Sequence, residues 1–233
     1  MRGKAWVLAI ALGGMAAHLA AAPAAADAKA GERIAMAGTP AGGTACASCH
    51  GQRGEGMAAF PRLGGVGAAY LQQQLDAFAD GTRKNAIMQP IAQGLTPQQR
   101  IQVAAYFSSL PKPAAVQDGA ARTPSDTGAW LATRGRWDEG IPACAQCHGP
   151  GGVGVGENFP PLAGQPAGYL ADQLKAWQSG ARHPGPLGLM ESIARKLKPA
   201  DVQAVSDYYA GLASKAAAAT AAAGRARAGG STP

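Results

Sequence analysis

Cys46-Ala47-Ser48-Cys49-His50 and Cys144-Ala145-Gln146-Cys147-His148 decide how the rest of this 233-residue chain is read. They contain all four of its cysteines. Three ordinary uses of a C-x-x-C pair fit poorly. A zinc ribbon sets its two pairs roughly 15–20 residues apart, whereas Cys46 and Cys144 lie 98 apart. A redox dithiol occurs once, beside a βαβ pattern, and no such pattern is visible. A structural disulfide gives no reason for His to follow the second cysteine both times. Covalent haem attachment does: two thiols add across the porphyrin vinyl groups, and the adjacent imidazole reaches the iron from the proximal face. The sequence therefore predicts two covalently bound haem c groups. Cys46 and Cys49 hold one, Cys144 and Cys147 the other, with His50 and His148 as iron ligands.

Aligning the two motifs exposes an internal duplication. Phe60-Pro61-Arg62-Leu63 matches Phe159-Pro160-Pro161-Leu162. Tyr70-Leu71-Gln72-Gln73-Gln74-Leu75 matches Tyr169-Leu170-Ala171-Asp172-Gln173-Leu174. Phe78 then matches Trp177, Gly81-Thr82-Arg83 matches Gly180-Ala181-Arg182, and Met88 matches Met190. Val103, Tyr106, Phe107 and Leu110 correspond to Val205, Tyr208, Tyr209 and Leu212, one apolar helical stripe in each half. Thr96-Pro97-Gln98-Gln99 reads as a capping box opening the first of these helices, while Lys198-Pro199 opens the second without a capping side chain.

Each half is expected to be a short helix leading into the motif, a Gly/Pro-rich loop, a middle helix (about 68–80 and 167–179), a Met-bearing loop and a final helix. No stretch alternates like a strand, so the fold class is all-α, two tandem domains at 27–110 and 128–213. Residues 111–127, with Pro111, Pro113 and Pro124, read as the linker. Residues 214–233, rich in Ala, Gly and Arg, read as a disordered tail. A half is under 100 residues, marginal for a purely protein core. A flat haem supplies the missing apolar interior of a chain with only 6% aromatics.

A six-coordinate iron needs a second ligand from a different segment. For the first haem Met88 is favoured, in Asn85-Ala86-Ile87-Met88-Gln89-Pro90, over Met36 and Met57. For the second, Met190 competes with His183. His183 opens His183-Pro184-Gly185-Pro186, read as an insertion, whereas Met190 keeps register with the final helix. His/Met ligation raises the potential and closes the iron to O₂ or peroxide, which suits outer-sphere electron transfer. Arg83 and Arg182, with Tyr70 and Tyr169, are candidate partners for the haem propionates. The other reading makes the arginines surface residues and the tyrosines core.

Net charge is +7, but Arg2, Lys4, Lys215, Arg225 and Arg227 lie at the two ends. Residues 27–213 hold 16 basic and 14 acidic side chains. No basic face with interleaved aromatics is visible, so no nucleic-acid partner is expected. Residues 1–26 read as a cleaved signal peptide. Arg2 and Lys4 precede the apolar run from Ala5 to Leu12, and Ala24-Ala25-Ala26 precedes Asp27. A periplasmic location follows as the expectation.

These residues resemble tandem class I cytochrome c domains, and the ensemble resembles a dihaem cytochrome c4. Residues 137–149, Phe159-Pro160-Pro161-Leu162-Ala163-Gly164-Gln165, Tyr169 and Gln173-Leu174 carry the closest match. The first half departs from it at Leu63-Gly64-Gly65-Val66. The resemblance implies a periplasmic electron carrier, not an enzyme, taking electrons from a quinol-oxidising complex toward a terminal oxidase, with peripheral membrane association as an option. Two other classes compete. One is the electron-accepting subunit of a periplasmic dehydrogenase, such as flavocytochrome sulfide dehydrogenase. The other is a haem enzyme, a peroxidase or a thiosulfate-oxidising cytochrome. A peroxidase needs an open iron, and the thiosulfate-oxidising enzymes use a Cys ligand that this chain does not have to spare. The mature protein is expected to stain for haem after denaturation, with a mass showing two haems and the loss of about 26 residues. A mass with one haem removes the second-domain reading.

Overall fold

The computed structural model describes residues 27–112, 123–183 and 185–212. The expected signal peptide, most of the linker and the tail lie outside the described residues. The first half contains α1 (Ala28–Ala37), α2 (Ala47–His50), α3 (Ala68–Asp80), α4 (Met88–Gln93) and α5 (Pro97–Ser109). The second repeats the order with α6 (Thr127–Thr133), α7 (Ala145–His148), α8 (Ala167–Ser179), α9 (Leu189–Ala194) and α10 (residues 199–212). Among the described residues there is no strand, only isolated bridges. The class is all-α, as expected. One detail differs: the two methionine segments, read as loops, are short helices, α4 and α9.

Terminal helices of each half cross where the sequence supplies a glycine. A Cβ on Gly31 of α1 would sit 2.0 Å from the Gln102 carbonyl oxygen of α5. A Cβ on Gly128 of α6 would sit 2.3 Å from the Ala204 oxygen of α10. Only a residue without a side chain allows backbones that close. The stripes predicted on α5 and α10 then face inward. Val103, Tyr106 and Phe107 pack with Ile34 and Leu71. Val205, Tyr209 and Leu212 pack with Leu131 and Leu170.

Several helix ends are satisfied by nearby side chains. Asp27 Oδ1 accepts from the Lys29 and Ala30 amides at the start of α1. The capping box of α5 is complete: Thr96 Oγ1 accepts from Gln99 N at 3.2 Å, and Gln99 Oε1 accepts from Thr96 N at 2.8 Å. The start of α10 has half of such a box. Asp201 Oδ2 accepts from the Lys198 amide at 2.9 Å and also pairs with Arg136. The signal for it was a carboxylate three residues after Lys198, placed where α10's N-terminus favours negative charge.

The two halves meet about a pseudo-twofold axis. Lys84 N donates to Ala181 O at 3.0 Å, and His183 N donates to Thr82 O at 2.9 Å. His183 is thus the counterpart of Lys84, and the insertion begins after it rather than at it. Two contacts break the symmetry. The Glu157 carboxylate accepts from Ala68 N at 2.7 Å and Ala69 N at 3.4 Å, so a loop of the second half caps α3 of the first. The Gln165 side chain pairs with both backbone groups of Arg62. Replacing Thr96 with Ala removes one member of the α5 box. It should cost about 1 kcal/mol in chemical denaturation of the holoprotein.

Candidate functional site

Helices α2 and α7 are single turns that begin right after the first cysteine of each motif. His50 N donates to Cys46 O at 3.0 Å, and His148 N donates to Cys144 O at 2.9 Å. One helical turn brings the two cysteines, three apart, to the same face. Both imidazoles are buried, 5% and 6% exposed. Each donates Nδ1–H to a proline carbonyl, His50 to Pro61 at 2.8 Å and His148 to Pro160 at 2.8 Å. That bond fixes the tautomer and leaves Nε2 with its lone pair, as an iron ligand requires. Burial pulls both imidazoles below the ordinary histidine value, against the smaller opposing pull of the carbonyl bond. The neutral, metal-binding form is thereby favoured. Phe60 and Phe159 meet the rings edge-on, at 6.1 Å and 6.3 Å between centroids.

As free thiols Cys46 and Cys144 are pushed up to about 11, mainly by burial. All four cysteines lack a disulfide partner. A neutral thioether suits such an environment better than a thiolate. The Tyr209 hydroxyl lies beside the Cys144 thiol, where the first half has Phe107.

Met88 is the first residue of α4 and is half-buried, with its amide donating to Asn85 Oδ1 at 2.9 Å. Met190 holds the second position of α9 and is also half-buried. The rivals Met36 and Met57 are 38% and 54% exposed. His183 is exposed, with its backbone tied into the bridge between halves.

The arginines are not surface residues, which removes one of the two sequence readings. Arg83 and Arg182 are 7% and 6% exposed. Their guanidiniums cross between the halves. Arg83 donates to Tyr169 Oη at 3.1 Å and Gln173 Oε1 at 2.6 Å in the other half, and to its own Gln74 at 3.0 Å. Arg182 donates to Tyr70 Oη at 2.9 Å and Gln74 Oε1 at 2.7 Å across the seam, and to its own Gln173 at 3.2 Å. Arg83 stacks on Phe78 at 4.4 Å and Arg182 on Trp177 at 3.9 Å. Burial pushes the Tyr70 hydroxyl up, but the two guanidiniums beside it outweigh that and hold it below the ordinary tyrosine value.

Among the described residues no carboxylate forms an ion pair with either arginine. Trp177 Nε1 is buried beside them without a partner. Two buried cations and an orphaned donor fit a group that brings carboxylates of its own, as a haem does.

Sequence reasoning missed four residues here. Gln74 and Gln173, each accepting from both arginines, were quoted in the repeat but given no role. Their signal was the shared nine-residue spacing to Arg83 and Arg182. Gln165 was legible only as part of a segment. Glu157 has no counterpart in the first half and gave no signal.

The cytochrome c family model matches residues 28–111 and 139–213, and the chain belongs to that family. It is 49% identical over 173 residues to the thiosulfate dehydrogenase electron acceptor of Stutzerimonas stutzeri, covering 73% of this chain and 80% of that protein. It is 38% identical over 170 residues to cytochrome c4 of Pseudomonas aeruginosa, covering 72% and 83%. Among solved structures, cytochrome c4 from Pseudomonas stutzeri superposes with a TM-score of 0.68 at 35% identity, over 81% of this chain and all of that one. The thiosulfate dehydrogenase TsdBA of Marichromatium purpuratum superposes with a TM-score of 0.71 at 41% identity, over 78% of this chain; this chain spans 40% of that longer one. Two matched regions, each with its attachment motif, define a dihaem electron carrier of the cytochrome c4 type with two covalently bound haem c groups. Replacing Arg182 with Leu leaves Tyr70 and Gln74 without their charged cross-domain donor. It should cost about 2 kcal/mol, read from the denaturation midpoint of the holoprotein.

Proposed function

We propose that this protein is a periplasmic electron acceptor of a thiosulfate-oxidising dehydrogenase and passes the electrons on toward a terminal oxidase. The observation that carries this reading is the naming of two relatives, 49% and 46% identical, as thiosulfate dehydrogenase electron acceptors. The cytochrome c4 relatives stand at 35–38%. The chain itself is a carrier without catalysis of its own. Bound haem supplies a one-electron Fe(III)/Fe(II) couple, and two of them in one chain match a two-electron donor. Residues 1–26 direct export and are removed; domains at 27–110 and 128–213 each hold one haem. No helix among the described residues is long and apolar enough to cross a membrane.

In the proposed site Cys46 and Cys49, and Cys144 and Cys147, form the thioethers. His50 and Met88 ligate one iron, His148 and Met190 the other. Arg83 and Arg182, with Tyr70 and Tyr169, hold the haem propionates at the seam. The exposure of Met36 and Met57, and the displacement of His183 into the bridge between halves, support the methionine choices. A quinol-oxidising complex as donor is the second reading, and the full-length cytochrome c4 likeness favours it.

One experiment separates the donors. Ferric holoprotein is mixed with thiosulfate and a thiosulfate dehydrogenase, and haem reduction is followed by absorbance. Both haems should be reduced, and thiosulfate alone should reduce neither. Reduction only by a quinol-oxidising complex and its quinol moves the donor to the second reading. Met88→Ala and Met190→Ala should each remove about half of the thioether-to-ferric-iron band. His183→Ala should leave it whole.

A further inference from the structure

The Pro61–Arg62 peptide group is hydrogen-bonded at both ends. Its carbonyl oxygen accepts from His50 Nδ1 at 2.8 Å. Its N–H donates to Gln165 Oε1 at 2.9 Å, and Gln165 belongs to the other half. Gln165 Nε2 also donates to the Arg62 carbonyl oxygen at 2.9 Å. The two bonds fix the orientation of the side-chain amide, since exchanging its O and N would set donor against donor and acceptor against acceptor. Gln165 is 6% exposed, so water does not compete at this contact.

The second half keeps the first bond of this relay and lacks the rest. Pro160 O accepts from His148 Nδ1 at the same 2.8 Å, but the Pro160–Pro161 peptide carries no N–H. The position matching Gln165 in the first half is Val66, 2% exposed and without a polar atom to offer. Two proximal histidines therefore make the same bond at the same length. Only one of the accepting carbonyls is polarised from behind.

An acceptor on a peptide N–H draws electron density toward the carbonyl oxygen, and bonds in such a chain strengthen one another by about 10–30% each. A stronger acceptor at Nδ1–H gives the imidazole more imidazolate character and makes Nε2 a better donor to the metal. A more basic ligand favours Fe(III) over Fe(II). We propose that Gln165 of the second domain is a positioning residue for the first haem, lowering its reduction potential through the Pro61–Arg62 peptide and His50. The proposal rests on His50 being an iron ligand. The first haem's potential then reports on how the two domains are seated, because the residue that sets it lies across the seam.

The test is a potentiometric titration of the full-length holoprotein, in which each iron takes one electron from the electrode. Haem methyl NMR signals assign each step to its haem. Gln165→Leu and Arg62→Pro should each raise the first haem's equilibrium constant for reduction by about two- to tenfold, ~59 mV at the upper end. The second haem should stay where it is. Arg62→Ala keeps the backbone N–H and should not raise the first haem. Pro161 already holds a proline at the matching position of the same turn, and Gln165→Leu alone decides if Arg62→Pro does not fold. The proposal is overturned by a first-haem step that does not move in Gln165→Leu while His50 stays on the iron. It is overturned equally by a step that rises as much in Arg62→Ala, or by both haems moving together. NMR showing His50 off the iron in the parent protein overturns the ligand assignment instead.

Discussion

Two guanidiniums share the seam between the halves, and neither has a carboxylate to answer it among the described residues. Taking an ion out of water costs several kcal/mol even after relaxation. The protein offsets part of that with glutamine and tyrosine oxygens and with an aromatic face under each arginine. Those contacts form one part of the interface, beside the backbone bridge and the Glu157 and Gln165 contacts. The Gln74 and Gln173 carbonyls each serve both arginines, so neither half satisfies its own charge alone. Under the proposed assignment the remaining charge is met by propionates. Docking of the domains and loading of the cofactor then stabilise each other.

The repeat made much of this legible. Helical periodicity placed α3 and α8 at 68–80 and 167–179, and the inward stripes of α5 and α10 followed from Val103 and Val205. Covalent attachment was readable because one five-residue motif carries its own chemistry. The crossing of Arg83 and Arg182 was not readable. A repeat says which residues are equivalent but not whether they face each other, and both arginines stack on aromatics of their own half while bonding to the other. His183 shows the same limit. Spacing alone put it inside an insertion, whereas backbone pairing with Thr82 makes it the partner of Lys84.

Some differences between the halves fall at the haem motifs and at the seam. Phe107 faces Tyr209 in the alignment, Phe78 faces Trp177, Arg62 faces Pro161 and Val66 faces Gln165. The second half holds the added polar atoms in the first, second and fourth of these pairs. Tyr209 and Trp177 keep an aromatic body while adding a polar atom, and Gln165 sets an amide bonded through both its oxygen and its nitrogen where the first half has a buried valine. The two halves thereby keep one fold while placing different polar atoms around equivalent positions.

Glu157 carries a last consequence. A helix N-terminus leaves amides unpaired, and α3 is capped by no side chain of its own half. Its first amides are satisfied from a loop 89 residues further along the chain. During synthesis the first half emerges ahead of Glu157, so that carboxylate reaches the start of α3 only once the second half has followed. Neither half is self-sufficient at the seam: the first takes its α3 cap from Glu157, and each supplies oxygens to the other's arginine.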